Sequence, residues 1–141
     1  MLRLVLMEIV SIDVQRPIDA CWRVFTTPSM LVHWVPGLVA ATLVAARPDG
    51  LPREVTFEFA AGLRYTLLYT YDVADHVVRW EPREHDTGAV RGFAQLEATE
   101  VGARLTYSLE HAAGRKAAER LLDDPEMLIG SFARYMHEHR D

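Results

Sequence analysis

From residue 38 to residue 111 the sequence consists of apolar runs and apolar–polar alternation, interrupted only by short turn-forming segments. Six strands are predicted in this stretch, at 38–47, 53–60, 63–73, 77–83, 89–99 and 103–111. Strands joined by so few residues must run antiparallel, because a parallel pair needs a crossover of about a dozen residues. The middle of the chain is therefore restricted to an antiparallel sheet.

The residues before this stretch add one more strand and two helices. Residues 8–14 alternate with the period of a half-buried strand, which brings the sheet to about seven strands. Apolar residues at helical spacing then predict two short helices, at 18–27 and 28–35, with Pro28 opening the second.

The C-terminal segment carries the residues of a helix start. Asp124 is a good N-cap, Pro125 suits the first helical position, and Glu126 places an acid in the first turn. An apolar stripe continues to about residue 139. Because the strands and this helix each have one apolar face, we expect the helix to pack on the sheet in an α+β fold.

A break is also expected at the start of this helix. Residues 115–122 favour a helix of their own, but Pro125 would clash with a carbonyl one turn earlier if a single helix ran through both segments. We therefore predict two segments, at 115–122 and 125–139, with Asp124 capping the second.

Length and composition favour one domain over residues 1–141. Half of the 141 residues are apolar, which is enough for a core that needs no disulfide, and Cys21 has no second cysteine to pair with. The net charge of −5 and the lack of a basic stripe argue against nucleic acid as a partner. No apolar run approaches the roughly eighteen residues of a membrane span, and no cleavage site follows the N-terminal apolar residues. A cytoplasmic protein is expected, and a homodimer is compatible with the sequence.

The histidines are not spaced as metal ligands. His137 and His139 are two residues apart on a predicted helix, about 200° around its axis, so they cannot share a metal on one face. His76, His85 and His111 fall in turns or at strand ends without ligand spacing. We therefore expect no metal and no other cofactor.

The apolar faces also predict how neighbouring strands pair. A three-residue loop containing Gly62 would pair Phe57 with Leu67 and keep the apolar face continuous. A two-residue turn at 74–75 would pair Tyr69 with Trp80.

The strand at 89–99 has two registers that the sequence does not separate. An even loop before the next strand places Leu96 opposite Tyr107, whereas an odd loop places Gln95 there. One register gives an apolar wall and the other a polar one.

The predicted order of elements is a strand, two short helices, six antiparallel strands and a terminal helix. Three sequence segments accompany this order: VQRPIDACWRVF at 14–25, HWVPG at 33–37 and VGARLTY at 101–107. The chain resembles the START-like or SRPBCC superfamily, in particular its polyketide cyclase/dehydrase-like group. The resemblance implies a helix-grip fold whose cavity, between the sheet and the C-terminal helix, holds a small hydrophobic molecule such as a lipid, a polyketide or an aromatic metabolite. The junction before Pro125 is then expected at one end of this cavity, where a hinge would let a ligand enter near Leu121, Leu122 and Met127.

Aromatic residues on the inward face are the candidates for that cavity. Three tyrosines on one strand face are informative, because a buried phenol needs a partner that a wet or ligand-filled cavity can supply. On the opposite wall we expect residues of the C-terminal stripe. The predicted ligand-binding residues are Trp34, Phe57, Phe59, Tyr65, Leu67, Tyr69, Tyr71, Trp80, Tyr107, Leu128, Phe132, Tyr135 and Met136.

Three functions remain open at this point. The first is binding of an apolar small molecule. The second is an enzyme of the cyclase, dehydratase or isomerase type, in which Tyr69, Tyr107 or His33 would transfer protons to a bound carbonyl compound. The third is an interaction module that acts through its surface, similar to the chaperone-activating branch of the same superfamily, and would show a large exposed apolar patch over a filled core.

Overall fold

The computed structural model describes residues 5–60, 62–83, 91–112 and 124–139. The elements along these residues follow the order that the sequence predicts. They are β1 (Val5–Val14), α1 (Ile18–Thr26), α2 (Pro28–Leu31), β2 (Leu38–Ala46), β3 (Pro52–Phe59), β4 (Arg64–Asp72), β5 (Val77–Pro82), β6 (Arg91–Thr99), β7 (Gly102–Ala112) and α3 (Pro125–Glu138).

The seven strands form one antiparallel sheet in the order β1-β7-β6-β5-β4-β3-β2. The last strand, β7, pairs with the first, from Val5 opposite Ala112 to Val14 opposite Ala103. Strands β1 and β2 are therefore the two edges of the sheet. Register shifts in β2 mark bulges, which bend that edge strand. Helix α3 packs against β1 and β7. The predicted α+β helix-grip architecture is confirmed.

The β4–β5 hairpin has the predicted register. Tyr69 lies opposite Trp80 and Tyr71 opposite Val78. The turn between them closes with a hydrogen bond from the His76 amide to the Val73 carbonyl at 3.1 Å, which leaves two residues at its centre. The alternation of apolar residues was sufficient here, because only one short turn satisfies it.

The β3–β4 hairpin differs from its prediction in offset. Phe57 pairs with Tyr65 and not with Leu67, so the predicted partner was wrong by two residues. The Phe59 amide donates to the Leu63 carbonyl at 2.8 Å, and Gly62 has a φ of 83°. Gly62 thus lies in a three-residue connection as expected, but the connection starts one residue earlier. A shift of two residues leaves every side chain on its predicted face.

Strand β6 adopts the register that gives an apolar wall. Two residues separate Thr99 from Gly102, and the pairs are Ala94 with Tyr107 and Leu96 with Leu105. The even alternative therefore holds for the face, although Leu96 lies two residues away from the partner that the sequence suggested.

Helix α3 begins and ends on specific contacts. The Asp124 carboxylate accepts hydrogen bonds from the amides of Glu126 at 3.0 Å and Met127 at 3.4 Å, which is the predicted N-cap. At the other end the Arg16 guanidinium donates to the Met136 carbonyl at 2.8 Å. The predicted segment 115–122, its break from α3 and the entrance at Leu121 and Leu122 lie outside the described residues.

Candidate functional site

A cavity lies between the inward face of the sheet and the segment formed by α1 and α2. The volume that the centre of a water molecule can reach in it is about 80 Å³. This is several times the space that one water needs. The space between sheet and helices is therefore not solidly packed.

Aromatic and aliphatic side chains from most of the sheet line the cavity. The strands β3, β4, β5 and β7 contribute because the period of two brings alternate residues onto one face. Of the predicted ligand-binding residues, the cavity wall contains Trp34, Phe57, Phe59, Tyr65, Leu67, Tyr69, Tyr71, Trp80, Tyr107 and Leu128.

The remaining predicted residues lie elsewhere. Phe132 is fully buried and packs its ring against Phe25 and Trp34, with ring centroids 5.6 and 4.9 Å apart. Met136 is also buried in the core. Tyr135 stacks on His33 at 6.2 Å, so the structure places this histidine beside α3 and not among the residues that line the cavity.

The wall opposite the sheet is therefore built differently from the prediction. It comes from the end of α1 and from α2 with the turn after it, and Leu128 is the residue of α3 that takes part. The sequence signal for this wall was present in the apolar spacing of α1 and α2. The lining residues that the prediction missed are Phe25, Thr26, Pro28, Leu31, Val35, Pro52, Val55 and Val78.

The Tyr69 phenol is a polar group of this wall that lacks a hydrogen bond within the described chain. Its ring lies 6.4 Å from Trp80 and 6.3 Å from Tyr71 between centroids. Burial, with smaller contributions from the nearby phenols of Tyr71 and Tyr107, raises the pKa of Tyr69 well above its ordinary value. Part of its surface is still accessible, and it lines the cavity. Its hydroxyl is therefore neutral at physiological pH and able to donate.

Other polar groups of the wall have protein partners. The Tyr71 hydroxyl donates to the Pro52 carbonyl at 2.7 Å, and burial raises the pKa of this phenol despite the guanidinium of Arg47, 5.1 Å from its ring centroid. The Thr26 hydroxyl donates to the Trp22 carbonyl at 2.8 Å. These two groups stabilise the wall itself.

Trp34 contributes a second polar group without a partner in the described part of the chain. Its indole Nε1 is buried and has no acceptor there. The backbone of the same residue is fixed, because the Ser131 hydroxyl of α3 donates to its carbonyl. An unpaired buried N–H costs about 1–3 kcal/mol, so this donor is unusual.

Comparison with known proteins identifies the fold. No family model and no curated protein matches the sequence. A START superfamily protein from Mycobacterium smegmatis superposes with a TM-score of 0.76 at 12% identity, covering 95% of this chain and 97% of its own. A protein from Thermus thermophilus gives 0.73 at 13% identity, covering 96% and 98%. The chain has a START-like fold.

A third solved structure of similar fold contains a ligand. It is a norcoclaurine synthase point mutant from Thalictrum, in complex with a transition state analogue. It superposes with a TM-score of 0.67 at 15% identity over 100% of this chain and 99% of its own. At such identities the likeness extends to the fold and not to individual side chains.

Charged groups are scarce around the cavity of this START-like chain. The described residues that line it include no carboxylate, imidazole, guanidinium or ammonium group. Among the residues at 5–60, 62–83, 91–112 and 124–139, no three His, Cys, Asp or Glu side chains are grouped as metal ligands. None of the helices in those ranges is long and apolar enough to cross a membrane.

Proposed function

We propose that this chain binds a small apolar molecule, of aromatic, polyketide-like or acyl type, in the cavity between the sheet and the α1–α2 segment. The observation that carries the proposal is the cavity of about 80 Å³ with its aromatic and aliphatic wall. Pockets for small molecules are mostly apolar with a few placed polar groups, and this wall has that composition.

The energetics support an apolar occupant. Transfer of apolar surface from water to the cavity gains about 25 cal/mol per Å². Because the described lining residues carry no charged group, burial of apolar surface is the main interaction that they offer a ligand. The START-like structure of norcoclaurine synthase with its transition state analogue is a precedent for a small molecule held by this fold.

Binding is favoured over acid–base catalysis. A cyclase, dehydratase or isomerase needs a group that removes a proton, and the described lining residues supply neutral phenols but no base. Tyr69 can donate a hydrogen bond but holds its own proton tightly, because burial raises its pKa. His33, one of the three candidates for proton transfer, stacks on Tyr135 and is not among the lining residues.

Binding is also favoured over action through the surface. An interaction module was expected to have a filled core, whereas the core of this chain contains the cavity. Exposed apolar residues do occur on β2, namely Val39, Leu43 and Val44, but a module that acts only through its surface would have no need of the cavity.

Two measurements test the proposal. Native mass spectrometry of freshly purified protein would detect a co-purified small molecule. Titration with α-methylstyrene, followed by amide chemical shifts, would report binding of a compact apolar probe. We expect shifts concentrated at residues around the cavity, such as Leu67 and Val78.

A matched pair of substitutions provides the control. Val78→Phe enlarges a side chain of the cavity wall and should weaken binding of α-methylstyrene at least tenfold. Val101→Phe makes the same change at a residue that is 61% exposed and should leave binding unchanged. Both variants are checked by thermal unfolding, because enlarging a buried residue costs about 1–3 kcal/mol. Equal binding by a folded Val78→Phe variant would contradict the proposed site.

A further inference from the structure

The wall of the cavity has hydrogen-bond donors that the described protein does not use. Tyr69 lines the cavity, and its hydroxyl makes no hydrogen bond among the described residues. The indole N–H of Trp34, another lining residue, is buried and has no acceptor in the same part of the chain. The indole can only donate, and the phenol donates from its neutral form. A ligand that satisfied either group would have to present an acceptor.

The charge of that acceptor follows from what surrounds it. Burying an isolated carboxylate costs far more than burying a neutral carbonyl, unless a cation pairs with it. The described residues that line the cavity carry no cationic group. Arg47, which lies over the ring of Tyr71, is already paired with Asp49 at 3.0 Å.

The surroundings of Tyr69 also favour an uncharged acceptor over an anion. Its ring lies 6.3 Å from that of Tyr71 and 6.4 Å from that of Trp80 between centroids, so an anion beside its hydroxyl would lie among aromatic rings, where water is largely excluded. The pKa of Tyr69 is raised by burial and by the neighbouring phenols, which is a second sign that this part of the wall disfavours negative charge.

We propose that the ligand carries an uncharged oxygen acceptor, such as a ketone, aldehyde or ester carbonyl, which accepts a hydrogen bond from the Tyr69 hydroxyl, and that the site discriminates against free carboxylates. This inference rests on the proposed function, since it assigns the chemical class of the molecule held in the same cavity. Tyr69 is then the residue that determines specificity within an otherwise apolar wall.

Three probes of nearly equal shape test the inference. Acetophenone, α-methylstyrene and benzoate each place a planar two-branched group on a benzene ring, and they differ in presenting a neutral acceptor, no acceptor and an anion. Their dissociation constants are measured at pH 7.5 by amide chemical shifts. We expect acetophenone to bind roughly two- to tenfold tighter than α-methylstyrene, as one hydrogen bond allows, and benzoate to bind at least tenfold weaker than acetophenone.

Two tyrosine substitutions assign the effect. Tyr69→Phe removes only the hydroxyl and should abolish the preference for acetophenone over α-methylstyrene while it leaves the affinity for α-methylstyrene unchanged. Tyr135→Phe makes the same change outside the cavity wall and should keep the preference.

The outcomes separate this inference from the proposed function. If all three probes bind equally, or benzoate binds as tightly as acetophenone, the inference is overturned and binding in the cavity stands. If Tyr69→Phe keeps the preference for acetophenone, Tyr69 is not the donor and the inference is likewise overturned. If none of the probes binds to the wild-type chain, the proposed function falls, and the inference with it.

Discussion

Gly92 leaves room for the Trp80 ring, which forms part of the cavity wall. The two residues are paired across β5 and β6. A Cβ atom added at Gly92 would clash with the Ser108 carbonyl oxygen and would come within 2.8 Å of the indole ring of Trp80. A residue without a side chain is therefore required for both the backbone ladder and the ring position.

We predict that Gly92→Ala destabilises the fold by about 1–3 kcal/mol, the usual cost of overpacking a core, and displaces the Trp80 ring. The free energy of unfolding in urea and the tryptophan emission spectrum measure the two effects. Gly130→Ala is the matched control, because nothing lies within 4 Å of the added Cβ in the interior of α3. It should stabilise the chain by up to about 1 kcal/mol. Equal effects from both substitutions would contradict this account.

Individual residues of the wall could be predicted from the sequence where strand alternation determines them. Tyr65, Leu67 and Tyr69 follow each other at a period of two, so one of them facing inward implies the others. Whether a phenol is paired could not be predicted. The partner of Tyr71 is the Pro52 carbonyl, nineteen residues away in the chain, and no local pattern indicates such a contact.

The β3–β4 hairpin shows what the alternation of an element leaves undetermined. The apolar face distinguishes odd from even offsets, because an odd slip would turn every side chain over. It does not distinguish registers that differ by two residues, so Phe57 pairs with Tyr65, whereas Leu67 was the predicted partner. The position of the three-residue connection decides between them, and alanine at residues 60 and 61 gives it little local preference.

Helix α3 depends on Arg16 at the end of β1 as much as on its own sequence. The Arg16 guanidinium donates to the carbonyls of Met136 at 2.8 Å and His139 at 3.0 Å, which satisfies terminal carbonyls and opposes the negative end of the helix dipole. The backbone N–H of Gln15 donates to Nε2 of the His137 imidazole at 3.1 Å. These contacts join two segments about 120 residues apart in the chain.

We predict that Arg16→Met lowers the free energy of unfolding by about 1–3 kcal/mol, since charge-assisted hydrogen bonds to the helix end are lost while the aliphatic stem remains. Arg104→Met is the matched control. The Arg104 guanidinium pairs with Asp13 at 3.0 Å, but both side chains are more than half exposed, and such pairs contribute at most about 1 kcal/mol. Urea unfolding of the two variants checks the order. A larger loss in Arg104→Met would contradict the assigned role of Arg16.

The sequence predicted the layers of the fold but not which helices close the cavity. The apolar stripe on α3 indicated that its residues are buried, but not what they contact. Phe132 is buried against Phe25 and Trp34. Phe25 and Trp34 line the cavity, whereas Phe132 packs behind them. Such an arrangement depends on how three helices share one sheet, which the periodicity of any one helix cannot reveal.

Cys21, Tyr69 and Tyr71 give the molecule a common response to alkaline pH. Burial is the main cause that raises the pKa of each, to about 11 from an ordinary 9.0 for the fully buried Cys21 thiol and above the ordinary 10.0 for both phenols. The unfolded chain therefore gives up these protons at a lower pH than the native chain does. The stabilisation is fully present below the unfolded pKa of each group and is lost as the pH rises through its folded pKa.

We predict that the free energy of unfolding is insensitive to these groups up to about pH 8.5 and falls between pH 9 and pH 11. The thiol alone accounts for about 2 kcal/mol of this loss, since each unit of pKa shift is worth about 1.4 kcal/mol and the folded thiol is half ionised near pH 11. Urea unfolding of the wild-type chain and of Cys21→Ala at several pH values measures the difference. The variant should be less stable at pH 8, because a cavity replaces the thiol, and the gap should close as the pH approaches 11. Parallel curves for the two proteins would mean that the thiol ionises equally in both states.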